Sequence, residues 1–151
     1  MRLVIQRCLE SSVSIEGKIV GEIKHGVVVL VGFTKNDSEK EINYLVDKLI
    51  NLRIFDDESG VMNLSLQDVK GSILSISQFT LYADTSHGRR PSYIKALNGK
   101  AAKKLYDLWN RRLTDAGVNV ATGVFGADMK VNLINDGPVT ITIEKEGEIC
   151  E

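Results

Sequence analysis

Between Gly26 and Gly32 the chain runs Val-Val-Val-Leu-Val, five apolar residues in succession, four of them β-branched. An extended chain sends successive side chains to opposite faces, so a run of this kind belongs to a strand covered on both sides. Whatever the sequence folds into has to lay material over each face of that strand.

The flanking patterns indicate what that material is. Val13 and Ile15 alternate with serines, Glu16-Gly17-Lys18 supplies a turn, and Ile19 to Ile23 resumes an extended pattern, which predicts a β-hairpin over about 11–24. Ser38-Glu39-Lys40-Glu41 has the spacing of a capping box, and Ile42, Leu45, Val46, Leu49 and Leu52 follow at helical intervals, so a helix is expected over 38–52. Arg53-Ile-Phe55, an acidic turn from Asp56 to Gly60, and alternating Met62, Leu64 and Leu66 predict a second hairpin. Ser72 to Ala83 reads as one long strand, and Asp84 to Tyr93 as a polar loop long enough to bind something. Asn98 caps a second helix with the apolar stripe Ala102, Leu105, Leu108, Trp109, Leu113 and Ala116, and Gly117 suits the left-handed position after it.

Met129, Val131 and Leu133, a turn at Asn135-Asp-Gly-Pro138, and then Val139, Ile141 and Ile143 predict two closing strands. Glu144 to Glu151 reads as a charged, frayed tail. With roughly seven or eight strands, two main α-helices, dominant hairpins and no strand–helix–strand alternation, the fold class predicted is α+β. Its sheet is expected to be curved, barrel-like and antiparallel, in a single domain over residues 1–151.

Composition narrows the function. Cys8 and Cys150 lie near opposite ends, without ligand spacing, so a zinc site, a redox pair and a disulfide framework are not expected, and the cytoplasm is the natural compartment. No apolar run approaches the ~18 residues of a membrane span. Nineteen Lys and Arg against 20 Asp and Glu leave a net charge of −1, which argues against gripping long nucleic acid but leaves room for a small footprint. His25 and His87 are the only histidines, so a hydrolase of this sequence has few side-chain bases near neutral pH. Nucleophile-elbow, zinc-protease and phosphate-loop motifs do not occur, and no metal or cofactor is expected.

Five features have a plain reading, and three of them a functional one as well. His87, in its polar loop, reads as a solvated side chain, and His25 likewise. Ser77-Gln78-Phe79-Thr80 has the outward Ser/Thr alternation of many strands, yet beside a long loop it could present hydroxyls and backbone N–H groups to a ligand. Gly137-Pro138 is first a turn, alternatively a cis Gly-Pro bond, and Arg89-Arg90-Pro91 is a solvated basic turn or a phosphate contact.

Taken in order, Ser77-Gln-Phe-Thr80-Leu, Ala83-Asp84, Gly88-Arg-Arg-Pro-Ser92, Ala127-Asp128-Met129 and Asn135-Asp-Gly-Pro-Val-Thr140 closely resemble the D-aminoacyl-tRNA deacylase (D-tyrosyl-tRNA(Tyr) deacylase) family. Ile5-Gln6-Arg7 and the region from Tyr44 to Phe55 extend the resemblance over nearly the whole chain. It implies a cytoplasmic homodimer that hydrolyses the ester between a D-amino acid and the 3′-terminal adenosine of tRNA, with glycine mischarged on tRNA(Ala) as a further substrate. It assigns catalysis to Ser77, Gln78, Phe79 and Thr80. It assigns chiral selection to Gly137 and Pro138, a cis pair reaching into the neighbouring subunit's pocket, with Asn135 beside them. Arg7 is expected to brace that loop through carbonyls. Phe125 and Met129 are expected around the terminal adenine, core packing being the plain reading for Phe125, and Arg89 and Arg90 on acceptor-stem phosphates.

Two other functions fit the residues taken alone. One is a non-catalytic dimer that binds RNA or a metabolite on the same sheet. The other is an esterase or peptidase acting on free D-amino acid derivatives.

Overall fold

The computed structural model describes residues 1–147, so Cys150 and the end of the expected tail lie outside the described residues. The elements run in the order β1 (Arg2–Ile15), β2 (Lys18–Ile23), β3 (Gly26–Gly32), α1 (Glu39–Asn51), β4 (Phe55–Asp56), β5 (Met62–Leu64), β6 (Ser72–Ser77), α2 (Gly99–Asp115), β7 (Val120–Thr122) and β8 (Lys130–Glu144). A short 3-10 turn, Phe79–Tyr82, follows β6.

The all-apolar run forms β3 and is covered on both faces. Val27, Val29 and Val31 point into a core shared with Ile42, Leu45 and Leu49 of α1 and Tyr106, Trp109 and Leu113 of α2. Val28 points the other way, into a smaller cluster with Cys8, Val13, Ile23, Leu74 and Ile76 inside the curl of the sheet. The main sheet has the order β2-β1-β3-β6-β7, with β8 on the free side of β1, and β4 and β5 form a separate hairpin. β2 and β7 come together at Gly21, where a Cβ would sit 2.5 Å from the Thr122 carbonyl oxygen, so the sheet curls into a nearly closed barrel.

The expected α+β class, two helices and barrel-like sheet are present, but the sheet is mixed. β3 pairs β6 in parallel, from Gly26 opposite Ser72 to Val31 opposite Ser77, and β6 pairs β7 in parallel. Two strand–helix–strand crossovers therefore exist, and interruptions hid both. The first contains the β4–β5 hairpin as well as α1, and the second a long polar loop before α2.

Three further expectations are corrected. β1 starts at Arg2, because residues 2–8 pair with β3 and residues 2–6 with β8. The strand expected over Ser72 to Ala83 ends at Ser77, where the Gln78 N–H reaches the Val31 carbonyl and β3 stops offering partners. The two closing strands are one continuous β8, antiparallel to β1 on both sides of Asn135–Pro138, so that segment is an outward bulge rather than a reversal. The start of the expected tail is also held, since the buried Met1 ammonium meets Asp37 Oδ1 at 2.7 Å and the Lys145 carbonyl at 2.8 Å.

Both helices begin as expected. The Ser38 side chain accepts from the Lys40 N–H while Glu41 accepts from the Ser38 backbone N–H at 2.8 Å, and Asn98 accepts from the Ala101 N–H. Ala116 is exposed past the end of α2, and Tyr106 takes a buried place on the helix that its hydroxyl had masked. That hydroxyl donates to the Ser75 carbonyl at 2.8 Å, and the Trp109 indole N–H to Ser75 Oγ at 3.2 Å, tying α2 to the middle of β6.

Ser38→Ala is expected to lower the unfolding free energy by about 1 kcal/mol in urea titration. Burial pushes the Glu41 carboxyl up, but the Ser38 hydroxyl and backbone N–H groups outweigh burial and hold it below its ordinary 4.5. Its contribution is therefore present above that value and is lost as pH falls through the lowered one, so Glu41→Gln flattens the acid side of the stability profile. Burial pushes the Cys8 thiol up to about 11. Peptide mapping after iodoacetamide at pH 8 should find Cys8 unmodified in the folded protein and modified once it is unfolded.

Candidate active site

The parallel strands β3 and β6 end side by side, and the carboxyl ends of adjacent parallel strands are a common place for ligands. Here a cavity of about 550 Å³ opens beyond them. One wall is the end of β6 and its turn, Ser77, Gln78 and Phe79. The start of α2 with its approach, Tyr93 to Ala102, forms a second, and residues 125–131 a third.

The turn governs the chemistry of the first wall. Within Phe79–Tyr82 the first two N–H groups, of Phe79 and Thr80, have no acceptor inside the turn, as at any helical start. The neighbouring N–H groups are occupied, Gln78 by the Val31 carbonyl at 2.8 Å and Leu81 by the Gln78 carbonyl at 3.3 Å. The Gln78 side-chain amide donates to Thr80 Oγ1 at 2.5 Å, which fixes that hydroxyl against the turn. Phe79 is 56% exposed and meets Tyr93 edge to face, with centroids 5.0 Å apart.

Among the described residues lining the cavity, Asp128 and Tyr93 are the titratable ones, and Asp128 already holds Lys130 at 2.9 Å. His87 sits outside on its loop, with Nδ1 2.8 Å from Ser86 Oγ, and His25 packs edge-on against Phe55. The first wall thus carries a turn whose leading amide N–H groups have no acceptor within it, together with hydroxyls, and the described residues lining the cavity include no imidazole.

Of the residues singled out from sequence, Ser77, Gln78, Phe79, Phe125 and Met129 line this cavity, and Thr80, which follows Phe79 in the turn, does not. Phe125 and Met129 also pack on the two hydrophobic clusters, so the core-packing reading of Phe125 holds. Tyr93, Asn98, Gly99 and Ala127 line it too and were not foreseen. Asn98 announced itself only as a helix cap, and a cap at the carboxyl end of a parallel strand pair is informative only once the pairing is known.

Arg7, Asn135, Gly137 and Pro138 form a second group that does not line the cavity of the same chain. Gln6 pairs with Thr140 and Cys8 with Asn135, so residues 136–139 bulge out opposite Arg7 alone. The Arg7 side chain, 7% exposed, donates from Nε to the Asp136 carbonyl at 3.0 Å and from Nη1 to the Ile54 carbonyl at 2.8 Å, and it pairs with Asp56 and Asp136. Asn135 closes the base of the bulge, accepting from the Val139 N–H and donating to Thr140 Oγ1, both at 3.0 Å. The Gly137–Pro138 bond is cis, and both residues are exposed at the tip.

Arg89 and Arg90 lie outside the cavity on a loop closed by reciprocal backbone bonds between Asp84 and Ser92. The Ser86 hydroxyl and N–H and then Lys95 hold the Asp84 carboxyl down to about 2, so the loop's anchor stays charged at ordinary pH.

The sequence model of the family described as D-Tyr-tRNA(Tyr) deacylase matches residues 4–144. A D-aminoacyl-tRNA deacylase of Listeria innocua is 53% identical over 146 residues, covering 97% of each chain. Among solved structures, a c-Myc DNA unwinding element binding protein superposes with a TM-score of 0.91 at 36% identity, over 97% of this chain and all of the other. A structure titled as a probable eukaryotic D-amino acid tRNA deacylase shares the fold, with a TM-score of 0.82 at 18% identity, over 94% and 97% of the two chains.

Arg7→Met removes the donors to two carbonyls while keeping much of the side-chain volume. It is expected to cost about 1–3 kcal/mol in urea unfolding, as the desolvated carbonyls and Asp136 lose their partner. Amide exchange at residues 136, 137 and 139 should accelerate while the cap of α1 stays protected.

Proposed function

Because the chain belongs to the D-Tyr-tRNA(Tyr) deacylase family, we propose that it hydrolyses the ester joining a D-amino acid to the terminal adenosine of tRNA, at the cavity beyond β6. The observation that carries this reading is the pair of unoccupied backbone donors, the N–H groups of Phe79 in the cavity wall and of Thr80 next to it, beside a cavity that has no imidazole and whose one carboxylate, Asp128, already holds Lys130. An aminoacyl ester is already activated, so its hydrolysis depends chiefly on stabilising the tetrahedral oxyanion. Fixed donors of that kind are worth roughly 10²–10³ in rate each.

The nucleophile is water, activated by the 2′-hydroxyl that adjoins the scissile ester on the adenosine itself. The Thr80 hydroxyl, held by the Gln78 amide, helps to position the ester rather than attacking it, because no base stands beside it to take its proton. Phe125 and Met129 pack around the adenine.

Handedness is sensed by main-chain oxygens. In this reading the protein is a homodimer, and the Gly137 and Pro138 carbonyls of one subunit accept hydrogen bonds from the substrate ammonium in the other subunit's cavity. With the ammonium fixed and the ester on the oxyanion donors, an L side chain meets the Gly-Pro backbone while a D side chain points outward. Loss of the ammonium's acceptors can carry discrimination to ~10⁴–10⁵. Glycine has no side chain to exclude, so glycine on tRNA(Ala) is also cleaved. The bulge fits such a role: it reaches outward, and Arg7 holds its start at the Asp136 carbonyl.

Purified protein should release D-tyrosine from tRNA at least about 10³-fold faster than L-tyrosine, measured with labelled amino acid. Comparable rates, or release only from a plain D-amino acid ester, would overturn the reading. Substrate ending in 2′-deoxyadenosine should react on the order of 10² more slowly. Trapping of an acyl group on Thr80 would transfer the nucleophile's role to that residue. Gly137→Ala places a Cβ 2.8 Å from Val139 Cγ2 and 3.1 Å from Arg7 Nη2, at a φ of +130°. It should lower the rate on D-tyrosyl-tRNA by 10-fold or more with helix content unchanged by circular dichroism.

A further inference from the structure

The chain's charges are unevenly placed. Residues 85–106 hold six of the 19 Lys and Arg, and none of the 20 Asp and Glu. The stretch is therefore six units positive while the rest of the chain is seven negative, and the overall −1 conceals a strong asymmetry. Asymmetry of this kind steers a charged partner onto one face.

The same stretch builds the rim of the cavity through Tyr93, Asn98, Gly99 and Ala102. Two of its cations are engaged, Lys95 with Asp84 at 3.2 Å and Lys103 with Asp107 at 2.7 Å. Arg89, Arg90, Lys100 and Lys104 are exposed and, among the described residues, pair with no acid. Lys100 follows Gly99 directly, and Lys104 lies one turn further along α2, about 6 Å along its axis. Both lie away from the buried Ala102, Tyr106 and Trp109.

Resting on the function proposed above, we infer that Lys100 and Lys104 of α2, with Arg89 and Arg90, form a docking surface for the phosphate backbone of the tRNA acceptor stem. A cavity of about 550 Å³ takes a nucleoside-sized group, so the remaining nucleotides leave across the rim. There they meet cations spaced along a helix, with Lys100 nearest the cavity. The α2 lysines thus extend the footprint beyond the two arginines, and the contacts are to phosphates, which makes them independent of sequence.

The test measures binding of uncharged tRNA by fluorescence anisotropy against salt concentration, beside a single-stranded CCA-ended tetranucleotide. The proteins compared are the unaltered chain, Lys100→Gln/Lys104→Gln, and a control, Lys18→Gln/Lys48→Gln, whose exposed lysines lie on β2 and α1. Each phosphate contact contributes about 0.9 to the slope of log affinity against log salt, so the α2 variant should flatten the slope by about 2. It should also weaken tRNA binding about 10-fold at low salt, raise KM but not kcat in deacylation, and weaken tetranucleotide binding by a clearly smaller factor, while the control matches the unaltered chain.

An unchanged slope, or equal losses on tRNA and tetranucleotide, would overturn the inference. Binding does not require chemistry, so a flattened slope with no release of D-amino acid would leave this surface standing and overturn the function proposed above.

Discussion

The apolar strand β3 needs cover on both faces, and the rest of the molecule follows from that need. One face takes α1 and α2, and the other takes the curl of the sheet around Val28 and Leu74. The two glycines that bound the run serve this arrangement. A Cβ on Gly26 would lie 1.9 Å from the Ser72 carbonyl oxygen, and one on Gly32 would lie 2.9 Å from the Gln78 carbonyl oxygen. Each is a place where the backbone of β6 comes too close for a side chain, one at each end of that strand. Gln78 is where β6 turns into the 3-10 turn, so the demand that buries β3 also sets the position of the Phe79 and Thr80 amides.

Arg7 does for the bulge what Gly32 does for the turn, at a higher electrostatic cost. A guanidinium out of water is costly unless its donors are matched, and here two carbonyls and two carboxylates match them. The arrangement couples three parts of the chain far apart in sequence: β1, the segment after α1, and the bulge of β8. Its strength lies in directionality, since a planar fork with fixed donors sets the orientation of the Asp136 peptide more narrowly than a lysine could.

Legibility in the sequence followed the range of the interaction. Ser38, Asn98 and Gly117 signal helix ends through bonds made within a few residues, and both helices and their caps stand where those residues put them. Alternation in Met62 and Leu64 was enough for the β4–β5 hairpin. Parallel pairing is a contact between residues 26–31 and 72–77 across a crossover of some forty residues, and nothing local announces it. The polar residues of Asn135–Pro138 signal a departure from regular strand equally well whether the chain reverses or bulges, and only the pairing of Thr140 with Gln6 decides. The site was legible as motifs, while its wall from Tyr93 to Ala102 was not, because those residues matter through the end of β6 they face.

The proposed function separates chemistry from affinity in space. The cavity wall offers dipoles and hydroxyls, with Asp128 and Tyr93 as its titratable groups, whereas the cations stand on the rim. An oxyanion hole of backbone amides needs little reorganisation as charge develops, and its donors do not titrate. Cations placed inside the cavity would have attracted phosphate to the site of the carbonyl and competed with the ammonium that the proposed chiral test must hold. Placed outside it, along residues 85–106, they are free, in the proposed reading, to draw in a polyanion and leave its ester to the amides. The near-neutral charge of the chain is thus compatible with a polyanionic substrate, because the balance is struck between faces rather than within each one.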